Sequence, residues 1–165
     1  MRGWLFKAGM KPNPYVRYPT LARHASPSSP IATKIDVQQL SPSEAKQIVK
    51  SHDGIAFPDF SRSSPEQRGW HYFVAFDGGQ ALATARLYVQ GELGYLGTAF
   101  TGEPCRRRGA QQALIAKRIE VAAALGCRVL ISETLSILKS SLNNLQKAEF
   151  RTIFEKEVYE ANIED

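Results

Sequence analysis

Three apolar stretches separated by two very short polar turns restrict the fold of this chain most strongly. The first, WHYFVAF (70–76), is a continuous apolar and aromatic run, which is typical of a strand buried on both faces. The turn DGG leads to QALATARLYV (80–89), and the turn QGE leads to LGYLGTAFT (93–101). Turns this short join neighbouring antiparallel strands, so the sequence predicts a three-stranded meander.

Further elements surround this meander. A strand is predicted over IATKIDVQQL (31–40), followed by a helix with a capping box, in which Ser41 precedes Pro42 and Glu44. A helix over 109–125, a strand over GCRVLIS (126–132), a helix in SSLNNLQKAEF (140–150) and a closing strand in TIFEKEVYE (152–160) come after it. This order predicts one α+β domain, residues 31–165, with a mixed central β-sheet flanked by helices.

Residues 1–30 differ in composition from the rest of the chain. They are rich in proline, serine and arginine, and residues 1–24 contain five lysines and arginines and no acidic residue. Because proline fixes the backbone and removes a hydrogen-bond donor, we expect an irregular basic arm with one short packed piece around residues 4–6.

Composition narrows the class of protein. The chain has 165 residues, 43% of them apolar, and no apolar run long enough to span a bilayer, which predicts a soluble, cytoplasmic protein without membrane contact. Its histidines are scattered and its two cysteines have no metal-ligand spacing, so no metal site is expected. We expect Cys127 to pack in the core and Cys105 to lie in a loop. The sequence leaves a monomer and a homodimer open.

The stretch CRRRGAQQALIAKR (105–118) carries the strongest functional signal. Three consecutive arginines precede Gly109 and a helix, where a dipole would normally favour acidic side chains. A helix start offers unpaired N–H groups, and glycine lets a ligand come close to the backbone, so the turn suits a phosphate with the arginines facing it. Neither a P-loop nor a dinucleotide-binding glycine pattern is present.

This stretch resembles motif A of the GNAT superfamily of N-acetyltransferases, Gln/Arg-x-x-Gly-x-Gly/Ala. Arg106, Gly109 and Gln111 stand at its three fixed places, and the similarity extends from about residue 31 to the C-terminus. The segment 141–150 resembles the family's tail, Ser-x-x-Asn-x-x-x-x-Gly-Phe, through Ser141, Asn144 and Phe150. The element order derived above is similar to the family's fold, an antiparallel meander followed by a parallel β-α-β unit that binds the cofactor.

The resemblance implies that acetyl-CoA is a cosubstrate. In such proteins the N–H groups of the arginine–glycine loop hold the pyrophosphate, the strand before it pairs with the pantetheine amides, and the tail asparagine contacts the cofactor. The residues implied to bind acetyl-CoA are therefore Ala99, Phe100, Thr101, Arg106, Arg107, Arg108, Gly109, Ala110, Gln111, Gln112 and Asn144.

Three positions depart from the family pattern. Gln111 replaces a Gly or Ala and makes the last turn of the motif bulkier, and Glu149 replaces a glycine, which tightens or distorts the bend before Phe150. Leu145 stands where many relatives have a tyrosine that protonates the departing thiolate. A CoA thiol has a pKa of about 8 to 9, so water could replace this acid.

No catalytic residue follows firmly from the sequence. Glu133, after the strand 126–132, and Ser141 are weak candidates, and a helix cap explains Ser141 equally well. We expect Glu92 and Glu103 to be surface or paired carboxylates. We expect His71 to be a core histidine. Arg118 falls inside the apolar stripe of its helix, where we expect a paired structural cation, with Glu133 as its suggested partner.

Three functions are then open. The first is transfer of an acetyl group from acetyl-CoA to a primary amine of a small molecule or protein. The second is a non-catalytic acyl-CoA-binding or regulatory relative, suggested by Leu145 and Gln111. The third, a nucleic-acid-binding module, is disfavoured because the cations are clustered and the C-terminus is acidic.

Overall fold

A computed structural model of the protein describes residues 2–26, 34–51 and 68–161. In chain order its elements are α1 (Arg2–Lys7), β1 (Met10–His24), β2 (Asp36–Leu40), α2 (Pro42–Ser51), β3 (Trp70–Asp77), β4 (Gln80–Gln90), β5 (Leu93–Thr101), a 3-10 turn (Glu103–Cys105), α3 (Ala110–Ala124), β6 (Val129–Glu133), α4 (Lys139–Lys147) and β7 (Arg151–Ala161). The strands form one seven-stranded sheet in the order β2-β3-β4-β5-β6-β1-β7. All pairs are antiparallel except β5 with β6, so the predicted mixed α+β sheet is confirmed.

The predicted meander is the centre of this sheet. Asp77 pairs with Gln80 across a two-residue turn in which Gly78 (φ 55°) and Gly79 (φ 83°) both take left-handed conformations. Such a turn matches the twist of the two strands it joins. The capping box is confirmed as well: Ser41 N donates to Glu44 Oε2 (2.8 Å), and Glu44 N donates to Ser41 Oγ (3.3 Å).

The irregular arm expected for residues 1–30 is wrong for the part that the structure describes. Residues 2–7 form α1, and β1 lies inside the sheet between β6 and β7. The prolines of β1 all lie before Thr20, in the stretch that pairs with β7 but not with β6, and the register with β7 shifts between Pro12 and Arg17. A strand stretch that is paired on one side tolerates proline, so pairing with β7 overrides the local preference of these residues. Within the described residues 34–40, the strand predicted over 31–40 covers Asp36–Leu40. Residues 27–33 lie outside the described residues.

Helices cover both faces of the sheet. On one side, here called the α3 face, side chains such as Phe73, Leu87 and Leu96 pack with α3 and α4 into the main core. On the other side, the α2 face, Tyr72 and Val74 pack against α2. Both cysteines are buried, with Cys127 in the core as predicted and Cys105 in the 3-10 turn. Among the described residues, no helix combines the length and apolarity that crossing a bilayer requires.

Candidate active site: a groove between two splayed strands

The two parallel strands of the sheet separate halfway along their length. β5 and β6 pair from Leu93 with Val129 as far as Leu96 with Ser132, and the pairing ends there. At the same point β5 has a β-bulge, because Ala85 pairs with Ala99 and Leu87 with Leu96, so that Gly97 and Thr98 together face one residue of β4. The rest of β5 turns away from β6 and presents a strand edge to a groove.

A buried arginine fixes the bulge. Arg118 of α3 is only 2% exposed, and its Nη1 donates to the carbonyl oxygens of Arg86 (3.1 Å) and Gly97 (3.2 Å). Its Nε donates to Leu114 O (3.0 Å). Burial lowers the pKa of Arg118 to about 9, which leaves it charged at neutral pH. The structural role predicted for Arg118 fits these contacts, but the suggested pairing with Glu133 is wrong because backbone carbonyls are its partners.

The groove has a volume of ≈ 1030 Å³ and collects most of the residues that the sequence nominated. Of the predicted site residues, those lining it are Ala99, Phe100, Thr101, Arg106, Arg107, Gly109, Ala110, Gln111, Gln112, Glu133, Ser141 and Asn144. Their role in binding a cofactor stays a prediction. Arg108 does not line the groove, and its Nη2 instead pairs closely with Asp77 Oδ2 on the β3–β4 turn, so the expectation that all three arginines face an anion is wrong.

The start of α3 forms one end of the groove. Gly109, just before the helix, has φ 84°, and Arg107 has φ 64°, so the loop passes twice through the left-handed region. Ala113 is the first residue whose N–H donates along the helix, to Gly109 O (3.1 Å). The N–H groups of residues 110–112 therefore point out of the helix end. A side chain built on Gly109 meets nothing within 4 Å, so the space beside these donors is open.

Gln111, a departure from the family pattern, makes a contact across the groove end. Its Nε2 donates to Thr101 Oγ1 (2.7 Å), which ties the first turn of α3 to the end of β5. The bulk that the sequence suggested thus has a partner, and the backbone N–H of Gln111 is still directed out of the helix.

α4 forms the flank of the groove. Ser141 and Asn144 line it, together with Leu145, which is buried in the core (4% exposed). The alternative that Ser141 caps this helix is wrong, because Leu138 holds the cap position and makes no side-chain capping bond. Glu149, the second departure, has φ 66°, and its carboxylate lies 3.4 Å from the buried guanidinium of Arg23.

The opposite wall includes two tyrosines that the sequence analysis did not connect with the site. Tyr18 of β1 and Tyr95 of β5 line the groove beside Glu133. Glu133 Oε1 accepts hydrogen bonds from Thr20 Oγ1 (2.7 Å) and Lys156 Nζ (2.5 Å). Burial raises the pKa of Glu133, but the hydrogen bonds from Lys156 and Thr20 and the charge of Lys156 outweigh it and lower this pKa below its usual range.

Burial, together with the nearby Glu133 and Tyr18, raises the pKa of the Tyr95 hydroxyl, so that it stays protonated. No motif marks Tyr18 or Tyr95. Only the alternation of β1 could have suggested Tyr18, and the prolines of this strand obscured that pattern.

The remaining candidates lie elsewhere. Glu92 pairs with Arg128 at the far end of β5 (3.5 Å), and Glu103 is an exposed partner of Arg106 (3.8 Å). His71 Nδ1 lies 3.2 Å from Gln39 Nε2, and burial lowers its pKa. None of these three lines the groove. Among the described residues, no group of three His, Cys, Asp or Glu side chains is placed to hold a metal ion.

Comparison with known proteins places this geometry in a family. The sequence matches the Acetyltransferase (GNAT) family over residues 39–150, more than half of the 165-residue chain. The chain is similar to a GCN5-related N-acetyltransferase from Sphaerobacter thermophilus, with a TM-score of 0.68 and 18% identity over 96% of this chain and 56% of that one. No curated protein matches the sequence.

Two further solved structures have similar folds. One is the ribosomal-protein-S18-alanine N-acetyltransferase from Escherichia coli (TM-score 0.58, 15% identity, 71% of this chain and 77% of that one). The other is an aminoglycoside acetyltransferase from an uncultured soil metagenomic sample (TM-score 0.57, 15% identity, 79% of this chain and 97% of that one). The chain spans 54–66% of the length of three solved chains that it matches, and the Sphaerobacter thermophilus protein is one of them. On its sequence and its fold, the chain belongs to the Acetyltransferase (GNAT) family.

Proposed function

We propose that the protein transfers an acetyl group from acetyl-CoA to a primary amine. Two groups of backbone donors and acceptors without partners among the described residues carry this proposal: the N–H groups of residues 110–112 and, next to them, the edge of β5 beyond its pairing with β6. A helix end with free donors suits a diphosphate, and an unpaired strand edge suits a chain of amides. Pyrophosphate and pantetheine offer these two chemistries in one molecule.

The groove residues fit such a donor. The N–H groups of residues 110–112, with Arg106 and Arg107 beside them, would hold the pyrophosphate, and Ala99–Thr101 would pair with the pantetheine amides. Asn144 lines the same groove and would contact the donor from α4. Arg108 is left out, because it is engaged with Asp77.

The chain supplies orientation and electrostatics more than proton transfer. When bound, acetyl-CoA supplies a thioester whose carbonyl a neutral amine can attack. The backbone N–H groups of the β5 edge near Phe100 are the donors that we propose for the developing oxyanion. Glu133 is a poor general base, since a carboxylate with a lowered pKa holds protons weakly. Leu145 offers no acid, which leaves protonation of the thiolate to water.

A second candidate function deserves testing because of these two residues. Leu145 is buried and apolar at the position where many relatives have a tyrosine. The ionised carboxylate of Glu133 is already engaged in an ion pair with Lys156. Both observations favour a relative that binds acyl-CoA without efficient catalysis. Nucleic-acid binding gains no support, because Arg108 is paired with Asp77 and does not extend the basic patch of Arg106 and Arg107.

Donor binding is the first test. Acetyl-CoA at 100 times its dissociation constant should raise the free energy of unfolding by about 2.7 kcal/mol, measured as a shift in melting temperature. Arg107→Glu should weaken this binding by roughly tenfold, since it places a negative charge beside the phosphates. Arg128→Glu, a charge reversal on an exposed arginine outside the groove, is the matched control and should bind acetyl-CoA normally.

Turnover separates the two candidate functions. Release of free CoA thiol with a panel of primary amines, absent without amine, would support the acetyltransferase. Acetyl-CoA binding without thiol release would support the non-catalytic relative. Absence of binding, or equal loss of binding in both arginine variants, would contradict both.

A further inference from the structure

The chain places one of its own ammonium groups on the wall of the groove. Lys156 Nζ lies 2.5 Å from Glu133 Oε1 and 5.1 Å from the centre of the Tyr18 ring. Both Glu133 and Tyr18 line the groove, whereas Lys156 reaches them from the edge strand β7. A carboxylate together with an aromatic face is a combination that recognises alkylammonium ions.

The register of three strands builds this arrangement. Thr20 pairs with Glu133 between β1 and β6, and Tyr18 pairs with Lys156 between β1 and β7, so their side chains emerge on the same side of the sheet. Thr20 also fixes the Glu133 carboxylate by a hydrogen bond of 2.7 Å. The receiving groups are therefore held in place by the sheet.

The ammonium group is the movable member of this cluster. The Lys156 side chain is 46% exposed, and that of Glu133 is 20% exposed. A partly exposed ion pair contributes little free energy, and lysine has a flexible four-carbon stem. A ligand with a similar ammonium group can therefore displace Lys156 at small cost.

Because the Glu133 carboxylate stays ionised, it binds an amine in its protonated form. The lowered pKa of Glu133 means that it stabilises a bound ammonium in its protonated form. A protonated amine has no free electron pair and cannot attack a thioester. The amine held at Glu133 is thus suited to anchoring the acceptor while a different amine reacts.

We propose that Glu133, Tyr18 and Tyr95 form an anchoring subsite for a primary alkylammonium group, that Lys156 occupies this subsite when no acceptor is bound, and that the acceptor carries at least two amines. The inference rests on the proposed function, because it takes the groove as the site of acyl transfer. Tyr18 and Lys156 both lie outside residues 39–150, so the anchoring subsite draws on parts of the chain beyond the family match.

The test measures binding of 1,5-diaminopentane to the full chain by calorimetry, without acetyl-CoA. Lys156→Met keeps the apolar stem and removes the occupant, so the diamine should bind roughly fivefold tighter than to the unaltered protein. Arg151→Met removes the same charge from an exposed position on the same strand and should leave binding unchanged. In Lys156→Met with Glu133→Gln added, the gain should disappear.

Lys156→Gln serves as a second variant and should give the same direction of change. Equal binding to the unaltered protein, Lys156→Met and Lys156→Gln would overturn the inference, as would a gain that survives Glu133→Gln. In the acetylation assay, Glu133→Gln should raise KM for the diamine and leave kcat nearly unchanged, since an anchor contributes to binding alone. If the diamine binds as expected but acetyl-CoA does not bind, the proposed function fails while the ammonium subsite stands.

Discussion

The two walls of the groove are built in opposite ways. The donor wall, residues 97–112, is one continuous segment whose useful groups are mostly backbone amides, placed by a bulge and a helix start. The amine wall consists of Tyr18, Tyr95 and Glu133, and Lys156 reaches it from β7. These side chains come from four strands, β1, β5, β6 and β7. A site made of backbone needs a particular local sequence. A site made of distant side chains needs a particular sheet topology.

We expect the stability of the donor wall to depend more on the buried Arg118 than on any surface charge. In Arg118→Met, the carbonyl groups of Arg86 and Gly97 lose their donor, and we expect the free energy of unfolding to fall by about 3 kcal/mol. Arg128→Met, which breaks the exposed pair with Glu92, should cost less than about 1 kcal/mol. Denaturant unfolding measures both. Equal losses in the two variants would mean that the bulge does not need its buried cation.

The same contrast explains what the sequence could and could not predict. The meander, the capped α2 and the start of α3 depend on neighbouring residues, and each was predicted at or near its observed position. The sequence does not predict β1 because its prolines argue against a strand, whereas pairing with β7, and with β6 over Thr20–His24, stabilises one. Both partners lie more than a hundred positions away along the chain, so no short turn in the sequence indicates this pairing.

The candidate site follows the same rule. Arg106, Gly109 and Asn144 were nominated by spacing and lie on the groove. Arg108 shares the local pattern, but a tertiary contact with Asp77 turns it away. Tyr18 and Lys156 enter only through the register of β1, which the sequence did not reveal.

A second prediction tests whether the loop of the donor wall serves binding as well as folding. Gly109 and Gly126 flank α3, have φ angles of 84° and 85°, and would each have open space around an added methyl group. Either glycine replaced by alanine should lose about 1 kcal/mol in free energy of unfolding, because L-residues are strained in this region. Only Gly109→Ala should also weaken acetyl-CoA binding, by roughly tenfold, if the strain shifts one phosphate-binding amide.

Calorimetry with acetyl-CoA on both variants decides the point. If both variants bind acetyl-CoA as the unaltered protein does, the conformation at Gly109 matters for folding only. If both variants lose affinity for acetyl-CoA equally, the loss follows from the lower stability of the fold and not from the conformation of the loop at Gly109.

A third prediction concerns the amine wall and pH. Because hydrogen bonds and the charge of Lys156 lower the pKa of folded Glu133 below 4.5, its ordinary value, the ionised carboxylate stabilises the fold. That contribution is fully present above about pH 4.5 and is lost as the pH falls through the lower, folded-state pKa. The stability difference between the unaltered protein and Glu133→Gln should therefore shrink in this acidic window, from at most about 1 kcal/mol.

Urea unfolding at a series of pH values measures this difference. Glu103→Gln is the control, since Glu103 is a largely exposed carboxylate paired at 3.8 Å, and its difference should stay small throughout. A difference for Glu133→Gln that is constant with pH would show that the amine wall is held by packing and not by its charges.

The smallest expected effect lies at Glu149, just after α4, the helix that flanks the groove. The left-handed conformation of Glu149 (φ 66°) destabilises the fold, whereas its ion pair with Arg23 stabilises it. The guanidinium of Arg23 also donates to Ala148 O (2.6 Å) and Ser26 O (2.9 Å). Glu149→Ala keeps the strain and loses the pair, so it should be destabilised by up to about 1 kcal/mol. Glu149→Gly loses the pair but relieves about 1 kcal/mol of strain, so its free energy of unfolding should stay close to that of the unaltered protein. If Glu149→Gly proved no more stable than Glu149→Ala, the bend would be set by the contacts of Arg23 with the backbone. This bend would then depend on a side chain, as the amine wall does, and not on backbone conformation, as the donor wall does.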